Sequence, residues 1–132
     1  MAISNNMYLL DTDILIWMIR GNSKVVRFLE GLATNQKTFV STVSIAEVYK
    51  NIFPSEIIKS DECIYHNGII PLDDYMAKQS GLYWRDYNKK LAGLSITDCM
   101  IAATARLENL ILLTSNSRHF PMTDIKVQNP LK

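Results

Sequence analysis

The stretch "YLLDTDILIWMIRG", residues 8–21, decides how the chain reads. An apolar run ends at Asp11, Asp13 follows after one residue, and six consecutive apolar residues come directly after. A short apolar run closed by a turn-forming acid reads as a buried strand, and the longer run that closes at Gly21 reads as a helix. The two aspartates therefore stand at a strand-to-helix junction.

Working outward, further apolar runs read as strands at residues 7–10, 38–41, 68–72 and 110–114, with a weaker fifth at 126–128. Helical patterns fall between them at 13–20, 24–33, 44–51, 74–91 and 97–108, and another helix is expected to start with Pro54 in its first turn. Strands that are continuously apolar are normally buried on both faces, and their alternation with helices implies a parallel sheet between helical layers. The fold class is α/β: a single domain over residues 1–132, with a central parallel sheet of four to five strands and helices on both faces.

Composition agrees with one folded domain. The chain has 132 residues, 48% of them hydrophobic and 20% charged, enough length for one sizeable core. No apolar stretch approaches the ~18 residues of a membrane span and the N-terminus lacks the pattern of a signal peptide, so a cytoplasmic protein is expected. Cys63 and Cys99 form no CxxC pair, which points away from a thiolate metal site or a disulfide framework. A net charge of +1 gives no global field for steering nucleic acid, so any basic surface must be local.

In open parallel sheets the ligand crevice lies beyond the carboxyl ends of the strands, where helices begin. Asp11 follows the first strand, Thr114 to Asn116 follow the fourth, and Glu47 and Asp98 are expected in the first turns of their helices. Each acid has a bland explanation: Asp11 or Asp13 as a helix cap, and "SIAE" (44–47) and "SITD" (95–98) as capping boxes. Three acids converging on one sheet edge are harder to dismiss, because carboxylates a few ångströms apart raise one another's pKa unless a cation relieves them. Mg²⁺ prefers such oxygen ligands, and a cluster holding Mg²⁺ or Mn²⁺ can activate water and neutralise charge on a phosphodiester. Zinc fits poorly, since His66 and His119 lie on separate segments without a partner at ligand spacing.

Four blocks, "LLDTDILIWMIRG", "STVSIAEVYKN", "SITDCMIAATA" and "LILLTSNSRHF", resemble in order and spacing the signature blocks of PIN domains, and more narrowly of VapC-type toxins of type II toxin–antitoxin pairs. The resemblance covers nearly the whole chain. It implies a Mg²⁺-dependent endoribonuclease, with Mn²⁺ able to substitute, acting on structured RNA, homodimeric and inhibited by a cognate antitoxin. By position it assigns Asp11, Glu47 and Asp98 to the metal and Asn116 to the catalytic loop, with Thr12, Asp13 and Thr114 in support. Many relatives place a fourth acid at the position of Asn116 or of His119; neither is acidic here, so one firm metal site is expected.

The apolar run at residues 14–19 exceeds what one buried helix stripe needs, and either neighbouring helices or a partner must cover it. In the 74–91 helix, Met76, Ser80, Tyr83, Tyr87 and Leu91 recur at core spacing, leaving Trp84 and Arg85 off the stripe. Two rivals are weighed. "DTD" and "ILLTS" also resemble motifs of haloacid-dehalogenase-type phosphatases, but the acidic pair Asp73-Asp74 precedes Thr114 where that family needs it later. The other is a PIN-fold RNA-binding or interaction module without turnover.

Overall fold

The structure is a computed structural model that describes residues 6–132. Five short parallel strands form one sheet: β1 (Tyr8–Leu10), β2 (Thr38–Ser41), β3 (Gly68–Ile70), β4 (Ile111–Leu113) and β5 (Lys126–Gln128), in the spatial order β3-β2-β1-β4-β5. Six helices accompany them among the described residues: α1 (Thr12–Ile19), α2 (Ser23–Glu30), α3 (Thr42–Tyr49), α4 (Ile57–Tyr65), α5 (Asp74–Tyr87) and α6 (Ile96–Leu107). The α/β class and the parallel sheet are as the apolar runs imply.

Side chains of a strand alternate between faces, so β1 feeds two cores. Leu9 joins Leu112, Tyr83, Ile101 and the alanines of α6 on one side. Tyr8 and Leu10 join Leu113, Ile14, Leu15, Val25, Val40 and Ile64 on the other. Leu9, Leu10, Leu112 and Leu113 are fully buried, as expected of the centre of a doubly covered sheet.

Local chemistry sets the helix bounds. Gly21, at φ +72°, closes α1: its N–H donates to Met18 O and that of Asn22 to Trp17 O, a Schellman turn that only a left-handed residue allows at little cost. Asn22 then caps α2 by accepting from the N–H groups of Lys24 and Val25. Several expected bounds need correction, among them the end of α2, which closes at Glu30 with Gly31 as its cap rather than at residue 33. The third helix starts at Thr42, because Ser41 ends β2 and also caps α3 by accepting from Val43 N–H, so Ser44 lies inside the helix and "SIAE" is no capping box. The long helix stops at Tyr87, because the Asn88 amide donates to the carbonyls of Trp84 and Arg85 and competes for the last turn. Pro54 opens a short 3-10 turn (Pro54–Glu56) that leads into α4.

The apolar run of α1 is covered mainly from within the chain, by α2, α3 and α4; Ile14, Leu15 and Ile19 are buried while Trp17 remains 37% exposed. The stripe of α5 faces the core through Met76, Ser80 and Tyr83, and Trp84 is exposed. Asn67 ties two layers together: its amide donates to Cys63 O and Ile64 O at the end of α4, and its Oδ1 accepts from the Thr38 hydroxyl on β2. Asn67 is buried, so replacing it with Ala takes the side-chain partner from the Cys63 carbonyl and the Thr38 hydroxyl, while Ile64 O keeps the bond from the backbone N–H of residue 67. Asn67→Ala is expected to lower the unfolding free energy by about 1–3 kcal/mol, measurable by urea denaturation; an unchanged midpoint would contradict this role.

Candidate active site

The order β3-β2-β1-β4-β5 places β1 and β4 side by side where the chain reverses its direction of travel across the sheet. That switch point is where open parallel sheets bind ligands. Beyond Leu10 and Leu113, which are in register, the Asp11 N–H donates to Leu113 O at 2.9 Å, so the ladder runs one step past the strand and delivers Asp11 beside Thr114.

Asp11 is 7% exposed and held at both carboxylate oxygens. The Thr12 N–H donates to Oδ1 at 2.8 Å, and the Thr114 hydroxyl donates to Oδ2 at 2.8 Å. Thr114 Oγ1 in turn accepts from the N–H of Asn116 at 3.0 Å. Asp13 is two residues further, the second residue of α1: its Oδ1 accepts from Ile14 N–H, and its Oδ2 accepts from both the N–H and the hydroxyl of Ser115. Asp98, in the first turn of α6, donates its N–H to the capping Ser95 hydroxyl at 3.0 Å and keeps its side chain 24% exposed, with Oδ2 3.8 Å from His119 Nδ1.

Burial first, then the charge of Asp13, push the Asp11 carboxyl up to about 8; the bonds from Thr114 and Thr12 pull it back, and Asp98 adds a smaller push upward. The charged form of Asp11 is therefore the disfavoured one in the folded chain on its own. A cation placed against Asp11 and Asp98 reverses that balance, and an all-oxygen donor set suits a hard divalent ion. Among the described residues no three His, Cys, Asp or Glu side chains stand close enough to enclose a metal ion. Mg²⁺ does not require such a cage, since it keeps several waters and is commonly held by one or two carboxylates.

The PIN domain model matches residues 8–126. The chain belongs to the PIN domain family. It is similar to the Mycobacterium tuberculosis protein Ribonuclease VapC10, 29% identical over 116 residues that cover 88% of this chain and 87% of the relative. In three dimensions it resembles VapBC2 from Rickettsia felis bound to a DNA fragment from their promoter, with a TM-score of 0.82, 23% identity, and coverage of 93% of this chain and 98% of that one. It also resembles a toxin–antitoxin complex from Klebsiella pneumoniae, with a TM-score of 0.73, 25% identity, and coverage of 93% and 97%.

Within this PIN domain Glu47 is not in the first turn of its helix, since α3 starts five residues before it. It reaches the centre through Thr12, whose hydroxyl donates to Glu47 Oε1 at 2.6 Å and lies 2.9 Å from Ser44 Oγ. Thr12 thus joins Asp11, by its N–H, to Glu47, by its hydroxyl. Asn116 is exposed at the start of the turn Ser117–His119. Two residues with a part in this geometry were given no site role by the sequence: Ser44, read there only as a capping-box residue and lying one helical turn before Glu47 on the same face, and Ser115, which fastens the loop after β4 to Asp13. The spacing of Ser44 and Glu47 was a usable signal, whereas Ser115 had only its place between Thr114 and Asn116.

A carboxylate that is buried among like charges costs stability when no cation is bound. Asp11→Asn keeps an acceptor for Thr12 N–H and removes an acid that folding must either protonate or bury charged, a cost present above the ordinary carboxylate pKa, so at pH 7 the variant is expected to melt about 4 °C or more above the wild type in chelator, a gain of roughly 1 kcal/mol. Differential scanning calorimetry in EDTA checks this; a lower midpoint for the variant would contradict it.

Proposed function

We propose that this PIN domain is a metal-dependent endoribonuclease, the toxin of a toxin–antitoxin pair, which uses Mg²⁺ or Mn²⁺ to hydrolyse phosphodiester bonds of structured RNA. One observation carries it: a carboxylate buried at the switch point of a parallel sheet, with Asp13 and Asp98 raising its pKa and two threonines fixing its oxygens. Helix capping alone does not call for a second and third acid around a buried one.

Asp11 and Asp98 are the residues that would hold the ion, with Glu47 oriented toward the same edge by Thr12. A bound divalent ion there supplies a more acidic water and positive charge to offset the charge that develops on phosphate. The chain supplies the positioning. Thr114 and the Thr12 N–H lock the Asp11 carboxylate in one orientation, Asp13 holds the loop that carries Asn116, and Asn116 offers an uncharged amide at the rim.

The antitoxin is the partner implied by the likeness to a toxin–antitoxin complex. An open groove of about 520 Å³ near the end of α1, lined by Met18, Val26, Leu29, Leu32, Ala33 and Cys63 among others, is the surface we assign to an apolar segment of it. A second copy of the chain completes the assembly, and the exposed apolar run through Phe53, Ile57 and Ile58 suits that contact. No helix among the described residues is long and apolar enough to cross a membrane.

Purified chain free of antitoxin, incubated with total cellular RNA, is expected to yield discrete fragments with Mg²⁺ and none with EDTA. Asp11→Asn and Asp98→Asn are each expected to slow cleavage by on the order of a hundredfold or more. Folded wild-type protein that leaves RNA intact in both Mg²⁺ and Mn²⁺ would overturn the nuclease and leave an RNA-binding module.

A further inference from the structure

Beside the acids lies a second, polar cavity of about 380 Å³, lined by Ser115, Asn116, Arg118, His119, Asn129 and Lys132 among others. Its lining contains two cationic side chains and an imidazole and no Asp or Glu, in a chain whose net charge is only +1. Among the described residues neither Arg118 nor Lys132 forms an ion pair. Both are exposed, with their charge unspent inside the fold.

The cavity is fastened to the acid cluster. The Ser115 N–H and hydroxyl donate to Asp13, while the Ser115 carbonyl accepts from Asn129 Nδ2 at 3.4 Å. Asn129 Oδ1 accepts from Leu131 N–H, which bends the segment after β5 back toward this loop and sets Lys132 on the cavity wall. On the other wall His119 stands between cavity and cluster, with its Nδ1 3.8 Å from Asp98. A chain of polar contacts therefore fixes the distance between the acids and the cations.

We propose that this cavity is a phosphate subsite, in which Arg118 and Lys132 seat the backbone phosphate of a nucleotide neighbouring the scissile bond. This rests on the nuclease proposed above and names how its substrate is held. An RNA strand presents anionic phosphates at regular intervals, and a site that gathers carboxylates around a cation at one phosphate needs positive charge at the next. Arg118 offers a planar, multi-donor partner for phosphate and Lys132 a mobile point charge. No Phe, Tyr or Trp lines the cavity, so cations rather than large aromatic faces dominate its wall. Contacts to phosphate position the strand without reading sequence. The subsite thus contributes affinity and register, independent of base identity.

The test is binding of a 5′-fluorescein oligouridylate by fluorescence anisotropy in EDTA, which prevents turnover, across about 50 to 200 mM KCl. Arg118→Gln and Lys132→Gln are each expected to weaken binding about fivefold at the lower salt and to reduce the slope of log K against log [KCl] by roughly 0.7. An oligoadenylate is expected to show the same losses, and Lys24→Gln, on α2, none. Wild-type binding that survives both substitutions with its slope unchanged would overturn the subsite while leaving the nuclease intact, since that is read separately from Mg²⁺-dependent cleavage. Losses seen with one homopolymer only would overturn the phosphate assignment in favour of base contact. Failure of the wild-type chain both to bind and to cleave RNA would overturn the two together.

Discussion

The structure depends on holding a carboxylate out of water at the end of its central strand. Asp11 is buried, anchored at both oxygens and pressed by two other acids, and its pKa of about 8 measures how poorly the bare fold accommodates its charge. Everything adjacent serves that placement. β1 and β4 pair in register so that Asp11 and Thr114 leave the sheet together, and the fully buried leucines on both faces keep the two strands fixed. A cation bound at such a centre would stabilise it, which on the proposed function links ligand binding to local stability.

Several residues act in the fold and at the site at once. Asp11 caps α1 and is the buried acid; Ser41 ends β2 and caps α3; Ser95 caps α6 and fixes the first turn that carries Asp98. Capping and site chemistry are therefore not competing explanations here. A cap orients the helix, and the helix then presents the acid. Thr12 extends the same economy by linking Asp11 to Glu47 through one backbone and one side-chain donor.

The fold was legible because its two central strands, β1 and β4, are unbroken apolar runs, a pattern that few other environments produce. β2 and β5 coincide with their expected bounds, and the remaining strands lie inside theirs. The misread bounds have local causes. At Ser41 one residue ends a strand and caps a helix with no loop between, and near Asn88 a side chain takes over carbonyls that helical spacing alone would leave to the backbone. For the acids, position at strand ends could be read from the alternation of elements, but their couplings could not. That Asp13 holds Ser115 and that Glu47 reaches the centre through Thr12 follow from contacts between segments 102 and 35 residues apart, which no local pattern encodes. The excess apolar length of α1 was visible, yet its cover by α2, α3 and α4 emerges only from packing.

The claim that Asp11 and Asp98 together hold a divalent cation is tested most directly by titrating the chelator-stripped chain with Mn²⁺ and following free Mn²⁺ by electron paramagnetic resonance. One site per chain in the wild type, lost or weakened at least about tenfold in Asp98→Asn, is the expected result. No binding to the folded wild type, or equal binding by the variant, would contradict it.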